Sequence, residues 1–198
     1  MISYDAAAKP SAFGLWRMAL LVTGVTCLSA QLSTLLPFTP VPITMQVFAV
    51  LLSGLLLGGR FGAIAQTQYL LLGLAGLPVF ALGRSGPGVL FGITGGYLLS
   101  YPLAALAVGW IAERNKADQN TGGWLTRQAL ACAVGIAIIY GSGCIWLALL
   151  SRPMLSAGSA ALLGAGWFLL WDAAKAALAI TTARLLKNNV RPSSRLPE

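Results

Sequence analysis

Six long apolar segments, separated by breaks rich in proline, glycine or charge, dominate the 198-residue sequence. Only 9% of the residues are charged, whereas a soluble globular domain carries roughly 25%. A helix needs about 20 apolar residues to cross a hydrocarbon core about 30 Å thick. The chain therefore has room for about six crossings, and we predict one all-α integral membrane domain.

The breaks between the segments are typical of loops. Three prolines between Pro37 and Pro42 enforce an extended loop, because proline lacks a backbone donor and disfavours helix in the preceding residue. Gly58 to Gly62 predicts a tight turn, and Gly83 to Gly88 predicts a second irregular stretch. The second and third segments are short for full crossings, so hydropathy alone leaves five crossings open. The predicted helices cover residues 15–36, 43–57, 63–74, 90–112, 124–150 and 160–186.

The distribution of basic residues predicts the orientation. With six crossings, both termini lie on one side of the membrane, and only Arg84 and Arg152 fall on the other side. Lysine and arginine are retained in the cytoplasm, so both termini are predicted to be cytoplasmic. We divide the chain into a cytoplasmic segment 1–14, a six-helix transmembrane domain 15–186 and a basic cytoplasmic tail 187–198. The basic residues on the terminal side are Lys9, Arg17, Arg60, Arg114, Lys116, Arg127, Arg184, Lys187, Arg191 and Arg195.

Residue usage argues against catalysis and against nucleic acid as a partner. Histidine is absent, which removes the commonest general base and the commonest metal ligand. Cys27, Cys132 and Cys144 all lie in apolar stretches and are interpreted as packing residues. The net charge of +8 is concentrated at the ends of apolar segments, where it sets topology and meets lipid headgroups. We predict no catalytic residue, no metal site and no cofactor.

An acid and a base inside the last apolar segment carry the most information. Asp172 and Lys175 are three residues apart, so they lie on one helical face and can pair. A charged residue at bilayer depth costs about 2.5–3.5 kcal/mol on insertion scales. Two interpretations stay open: the pair lines a pocket for a polar ligand, or it neutralises itself while holding helices together.

Four further polar or aromatic residues are candidates for the same pocket. Gln46 carries an amide that donates and accepts at once, as an amide or ureido ligand requires, but it also suits interhelical packing. Arg84 can hold a carboxylate at a pocket mouth, although residue type alone favours a solvated loop charge. Tyr97 and Tyr69 are pocket aromatics or residues of the interfacial belt.

Four blocks of the sequence resemble the BioY family. The first is Thr39 to Gln46, Thr-Pro-Val-Pro-Ile-Thr-Met-Gln, and the second combines Leu57 to Gly62 with Tyr69 to Phe80. The third, Gly92 to Tyr97, is similar to the family's Gly-Pro-Thr-Gly-Gly-Tyr with isoleucine in place of proline. The fourth is similar to the family's Asp-x-x-Lys and covers residues 172–175.

The resemblance implies the substrate-binding (S) component of an energy-coupling-factor (ECF) transporter, a six-helix bundle in the bacterial plasma membrane. Its ligand would be biotin, bound from the outer face under two extracellular loops. Its partners would be a transmembrane coupling subunit and ATPase subunits, and a homo-oligomer stays open. The resemblance implies that Asp172 and Lys175 bind the polar part of biotin, with Gln46 and Tyr97 nearby and Arg84 placed for the carboxylate. The alternatives are an S component for another vitamin and a membrane protein without a transport role.

Overall fold

The computed structural model describes residues 12–37, 39–114, 121–151, 165–166 and 168–189. Most of the break between the predicted fifth and sixth helices, from residue 152 onward, and the predicted start of the sixth helix at residue 160 lie outside these residues. A short 3-10 turn covers Ala81–Gly83. The other elements are α1 (Ala12–Gln31), β1 (Ser33–Thr34), β2 (Ile43–Thr44), α2 (Gln46–Leu74), α3 (Pro87–Leu90), α4 (Gly95–Glu113), α5 (Thr121–Leu150) and α6 (Leu169–Asn189).

Helix α2 doubles back on itself at Gly58. A straight helix would separate Gln46 from Tyr69 by roughly 34 Å, at about 1.5 Å per residue. Instead the Gln46 amide donates a hydrogen bond of 2.6 Å to the Tyr69 hydroxyl. Gly58 has a φ of 76°, a left-handed conformation that glycine adopts without steric cost. The two arms, 46–57 and 59–74, therefore form a helical hairpin, and the predicted turn at Gly58 to Gly62 is confined to its first residue.

The hairpin explains how the chain reaches six crossings. Among the described residues, four helices are long and apolar enough to span a membrane, and α2 is one of them. Because α2 reverses, it supplies two passes, and α6 adds another that carries the buried pair. The predicted all-α, six-helix membrane architecture is confirmed. We call the end that holds Gln46 and the start of α4 the pocket end, and the end that holds Gly58 the terminal end.

Glycines bring α4 against the hairpin. A side chain on Gly109 would lie 2.1 Å from the backbone nitrogen of Gly59 and 2.3 Å from the carbonyl carbon of Gly58. A side chain on Gly54 would lie 2.6 Å from the carbonyl oxygen of Ala105. Small residues allow this close backbone approach, which is the main packing device of helices in membranes. The hairpin and α4 thus form the centre of the bundle.

The loops at the pocket end are more structured than the sequence predicted. Helix α1 ends at Gln31 and not at residue 36, because Ser33 and Thr34 pair antiparallel with Thr44 and Ile43. The predicted irregular stretch at 83–88 contains the start of α3, and the fourth long helix begins at Gly95 and not at residue 90. Local backbone hydrogen bonds therefore shorten the helices around the pocket.

The ends of the bundle overlap the predicted terminal segments slightly. Helix α1 begins at Ala12 and α6 continues to Asn189, so a few residues of the predicted segments 1–14 and 187–198 are helical. The remainder of both segments lies outside the described residues. The three-part division and the cytoplasmic position of the termini stay predictions.

Candidate functional site

A cavity opens at the pocket end, between the loop that follows α1, the loop that precedes α4, and the helices α2, α4, α5 and α6. It contains about 710 Å³ of space free of protein atoms, including its open mouth. Most of its wall is apolar or aromatic. The wall is formed by Val41, Pro42, Ile43, Thr44, Gln46, Val47, Phe80, Ala81, Leu82, Arg84, Val89, Thr94, Tyr97, Leu98, Tyr101, Ile139, Tyr140, Phe168, Asp172 and Lys175.

The acid and the base of α6 meet on the wall of this cavity. The Lys175 ammonium donates a hydrogen bond of 2.6 Å to one carboxylate oxygen of Asp172. Asp172 is 1% exposed and Lys175 is 8% exposed. A buried ion pair needs such close pairing and further hydrogen bonds to offset its desolvation. The i, i+3 spacing on one helical face therefore places both charges in the bundle interior, beside open space.

Tyr140 of α5 supplies the further hydrogen bond. Its hydroxyl donates to the second carboxylate oxygen of Asp172, so one carboxylate joins α5 and α6. The ring of Tyr140 packs edge-on against that of Tyr97, at 6.2 Å between centroids. Sequence reasoning missed Tyr140, although a single tyrosine in the apolar run of the fifth segment offered a weak indication. Its aromatic body and polar tip suit a pocket wall that is apolar with a few fixed polar groups.

Tyr97 is fixed by small residues on α5. A side chain on Gly143 would lie 2.2 Å from the Tyr97 ring, so only glycine leaves room for the ring. The Tyr97 hydroxyl lies 3.7 Å from the thiol of Cys144. On the turn before Tyr97, the Trp146 indole donates to the carbonyl of Gly92 at 2.9 Å. The glycine-rich start of α4 is therefore clamped onto α5, and Tyr97 faces the cavity.

Gln46 lines the cavity, and Tyr69 supports it from behind. Tyr69 is fully buried, and its hydroxyl accepts from the Gln46 amide at 2.6 Å and donates to the carbonyl of Val79 at 3.2 Å. Tyr69 does not line the cavity. The Gln46 amide retains one N–H and its carbonyl oxygen for other partners. Of these two predicted pocket residues, Gln46 therefore lies at the cavity wall, and Tyr69 lies behind it and orients its amide.

Arg84 lies at the mouth of the cavity. Its side chain is exposed, and its backbone carbonyl accepts from the amide of Phe80 at 3.0 Å. The Phe80 ring, which is fully buried, packs edge-on against Tyr69 at 5.5 Å between centroids. The cavity thus has an ion pair on its inner wall and a cation at its entrance. Such a site suits a ligand with a polar head, an apolar body and an anionic tail.

Comparison with known proteins places this geometry in a family. The sequence profile of the BioY family matches residues 9–192. The chain belongs to the BioY family. This family consists of transporters, so the prediction that the chain is not an enzyme is confirmed.

Two BioY proteins of other organisms are similar to this chain over most of their length. The chain is 38% identical over 152 residues to the biotin transporter BioY of Thermotoga maritima, covering 77% of this chain and 84% of that protein. It is 34% identical over 169 residues to the probable biotin transporter BioY of Pyrococcus horikoshii, covering 85% and 93%. Its fold matches a crystal structure of the S-component for biotin from an ECF-type ABC transporter. The TM-score is 0.80 at 25% identity, over 92% of this chain and 95% of that one.

Apart from Leu57 to Gly62, which forms the reversal at the terminal end, the blocks that resemble BioY sequences meet around the cavity. The block at 39–46 supplies β2 and Gln46, the block at 69–80 supplies Tyr69 and Phe80, and the blocks at 92–97 and 172–175 supply Tyr97 and the ion pair. Five of the six predicted binding residues line the cavity, and Tyr69 is the exception. That they bind a ligand stays a prediction.

Proposed function

We propose that this chain is the biotin-binding S component of an ECF-type transporter in the bacterial plasma membrane. The observation that carries the proposal is the buried Asp172–Lys175 pair on the wall of a cavity in a BioY-family chain. The ureido head of biotin has one carbonyl oxygen and two N–H groups, so it needs both donors and acceptors. Its valerate tail ends in a carboxylate, which suits a cation at the mouth.

The polar wall complements the ureido group. Lys175 has two N–H donors beyond the one given to Asp172, and these suit the ureido oxygen. Asp172, Tyr140 and Gln46 offer acceptor oxygens for the ureido N–H groups. Leaving any buried partner unpaired costs about 1–3 kcal/mol, so this wall discriminates against ligands that lack the matching groups.

Equilibrium binding of radiolabelled biotin to the purified full-length chain tests the proposal. We expect saturable binding that excess unlabelled biotin abolishes and that thiamin and riboflavin leave unchanged. Saturable binding of radiolabelled thiamin or riboflavin, with no biotin binding, would identify an S component for a different vitamin. Absence of saturable binding to all three would contradict a vitamin-capture role.

We propose that delivery to the cytoplasm needs partner subunits. The structural relative belongs to an ECF-type ABC transporter, and the amino-acid sequence of this chain contains no phosphate-binding Gly-Lys-Ser/Thr motif. A membrane coupling subunit and ATPases would drive reorientation of the whole subunit. Biotin uptake by cells that express this chain with and without those subunits tests the requirement, and equal uptake in both would contradict it.

Arg84→Ala is predicted to weaken biotin binding by about 3- to 10-fold. A charge-assisted hydrogen bond to a carboxylate contributes about 1.5–3 kcal/mol, and exposure of the Arg84 side chain to solvent reduces this. Biotin methyl ester has no carboxylate, so its affinity is expected to be unchanged. Arg60→Ala, at the terminal end, serves as the matched control and should affect neither ligand. An equal loss for biotin and its ester would contradict the role of Arg84.

Tyr69→Phe is predicted to weaken biotin binding by about 5- to 30-fold, because Gln46 loses the partner that orients its amide at a cost of about 1–2 kcal/mol. Thr67→Ala removes an exposed hydroxyl from the same helical arm and should have no effect. In a Gln46→Ala background, Tyr69→Phe should have little further effect, since neighbouring residues are not additive. An undiminished effect in that background would show that Tyr69 does not act through Gln46.

A further inference from the structure

Two segments beside the cavity, the ribbon β1–β2 and the loop Pro78–Arg84, are hydrogen-bonded to the end of α1. The Gln31 amide donates to the carbonyl of Pro78 at 3.2 Å and to that of Phe80 at 3.3 Å. Two residues further on, the Ser33 hydroxyl accepts from the amide of Leu82 at 3.1 Å. Ser33 also pairs through its backbone with Thr44 of β2. The chain from Gln31 to Ser33 therefore joins the loop Pro78–Arg84 to the ribbon β1–β2.

The loop Pro78–Arg84 needs this outside support. Leu82 has a φ of 61°, the only positive φ among the described residues other than glycine, and a branched side chain is strained there. Apart from the 3-10 turn Ala81–Gly83, the backbone hydrogen bonds within the loop run from Phe80 to Arg84 and from Arg84 to Ala81, and the second is 3.4 Å long. A strained loop with few internal bonds stays in place only when its surroundings hold it.

Neither Gln31 nor Ser33 touches the cavity. Helix α1 contributes no lining residue, whereas Phe80, Leu82 and Arg84 of the loop all line the wall. The hydrogen bonds of Gln31 and Ser33 therefore hold the loop with the same strength whether the cavity is empty or filled. Loss of these hydrogen bonds changes how often the loop moves away from the cavity. It leaves the contacts between the cavity and a bound ligand intact.

We propose that Gln31 and Ser33 are positioning residues that latch the loop Pro78–Arg84 and set the rate at which the cavity opens. The kinetic part of this proposal rests on the proposed function, since biotin is the ligand whose entry and exit are timed. A latch that is independent of the ligand slows entry and exit by the same factor. A residue that merely shapes the bound site changes the dissociation rate and the Kd together.

The first test measures rates of biotin binding to the full-length chain in lipid nanodiscs. For Gln31→Ala and Ser33→Ala we expect association and dissociation to accelerate together by about 3- to 10-fold, as loss of one or two exposed hydrogen bonds implies, with a Kd changed less than about twofold. Thr34→Ala is the matched control, because its exposed side chain makes no hydrogen bond with other described residues. Faster dissociation with unchanged association, or no change in either rate, would overturn the latch.

The second test needs no ligand and separates the latch from the proposed function. Hydrogen exchange of the Phe80 amide, which donates to Arg84 within the loop, is expected to accelerate in both Gln31→Ala and Ser33→Ala. The Leu82 amide, whose acceptor is Ser33 itself, is expected to exchange faster in Gln31→Ala. The amide of Gly86, which donates to Gly73 at 2.7 Å, should keep its rate and shows that the fold is intact. Unchanged exchange at Phe80 and Leu82 would overturn the latch even if biotin binds, and accelerated exchange would support it even if biotin does not.

Discussion

Replacing Asp172 by alanine is expected to abolish measurable biotin binding and to lower thermal stability. The change leaves the ammonium of Lys175, which is 8% exposed, without its anion and the hydroxyl of Tyr140 without its acceptor. Removing one partner of a buried ion pair costs about 3–5 kcal/mol. We expect the Kd for biotin to rise at least about 100-fold, measured by equilibrium binding to the purified chain.

The double variant Asp172→Ala with Lys175→Ala separates the two interpretations of the pair. Removing both charges relieves the unpaired lysine, so part of the lost stability should return. Biotin binding should stay absent, because the acceptor and the donors for the ureido group are both gone. If the double variant regained stability and bound biotin like the wild type, the pair would only hold helices together. Glu113→Ala, an exposed carboxylate at the terminal end, is the control and should leave affinity within about twofold.

Gly109→Ala is expected to destabilise the bundle strongly, because the added methyl group would meet backbone atoms of the hairpin. The new carbon would lie 2.1 Å from the backbone nitrogen of Gly59 and 2.3 Å from the carbonyl carbon of Gly58. Backbone cannot rotate away as a side chain does, so α4 must separate from the hairpin. Overpacking costs about 1–3 kcal/mol and occasionally more, and we place this change at the upper end.

Thermal unfolding in detergent measures the effect of Gly109→Ala, and we expect the Tm to fall by about 5–10 °C. Gly141→Ala provides the matched control, because Gly141 lies in helix α5 with no atom within 4 Å of the added carbon. Alanine favours helix over glycine by up to about 1 kcal/mol, so the control should keep or slightly raise the Tm. Equal effects of the two substitutions would contradict the close contact between α4 and the hairpin.

The sequence predicts the helices better than it predicts the loops. Long apolar segments report a membrane helix by length alone, and the ion pair stands out because charge is costly in that setting. Hydropathy misplaces the end of α1, because Ser33 and Thr34 leave the helix only to pair with residues eleven and nine positions further along the chain. Hydropathy describes local composition and does not report backbone pairing between separate segments.

Site residues can be predicted from the sequence when their type is unusual for its surroundings. They cannot be predicted when their position depends on a contact with a residue that is distant in the sequence. Asp172 and Lys175 line the cavity, as one of the two interpretations of the sequence predicted. Tyr69 was predicted at the wall but lies behind Gln46, a position that depends on the reversal at Gly58. Tyr140 escaped notice because a tyrosine in an apolar helix is common, and only the fold brings its hydroxyl to Asp172.

The helical hairpin has a consequence for how deep a ligand can lie. The arm from Gln46 to Leu57 rises only about 18 Å, at about 1.5 Å per residue, within a hydrocarbon layer about 30 Å thick. If Gly58 lies at one edge of that layer, Gln46 therefore lies about 12 Å below the opposite edge. The number of residues between the reversal and Gln46 therefore sets how far the cavity floor lies below the membrane surface. One added helical turn in that arm, about 5.4 Å, would raise the cavity floor by almost half of that depth.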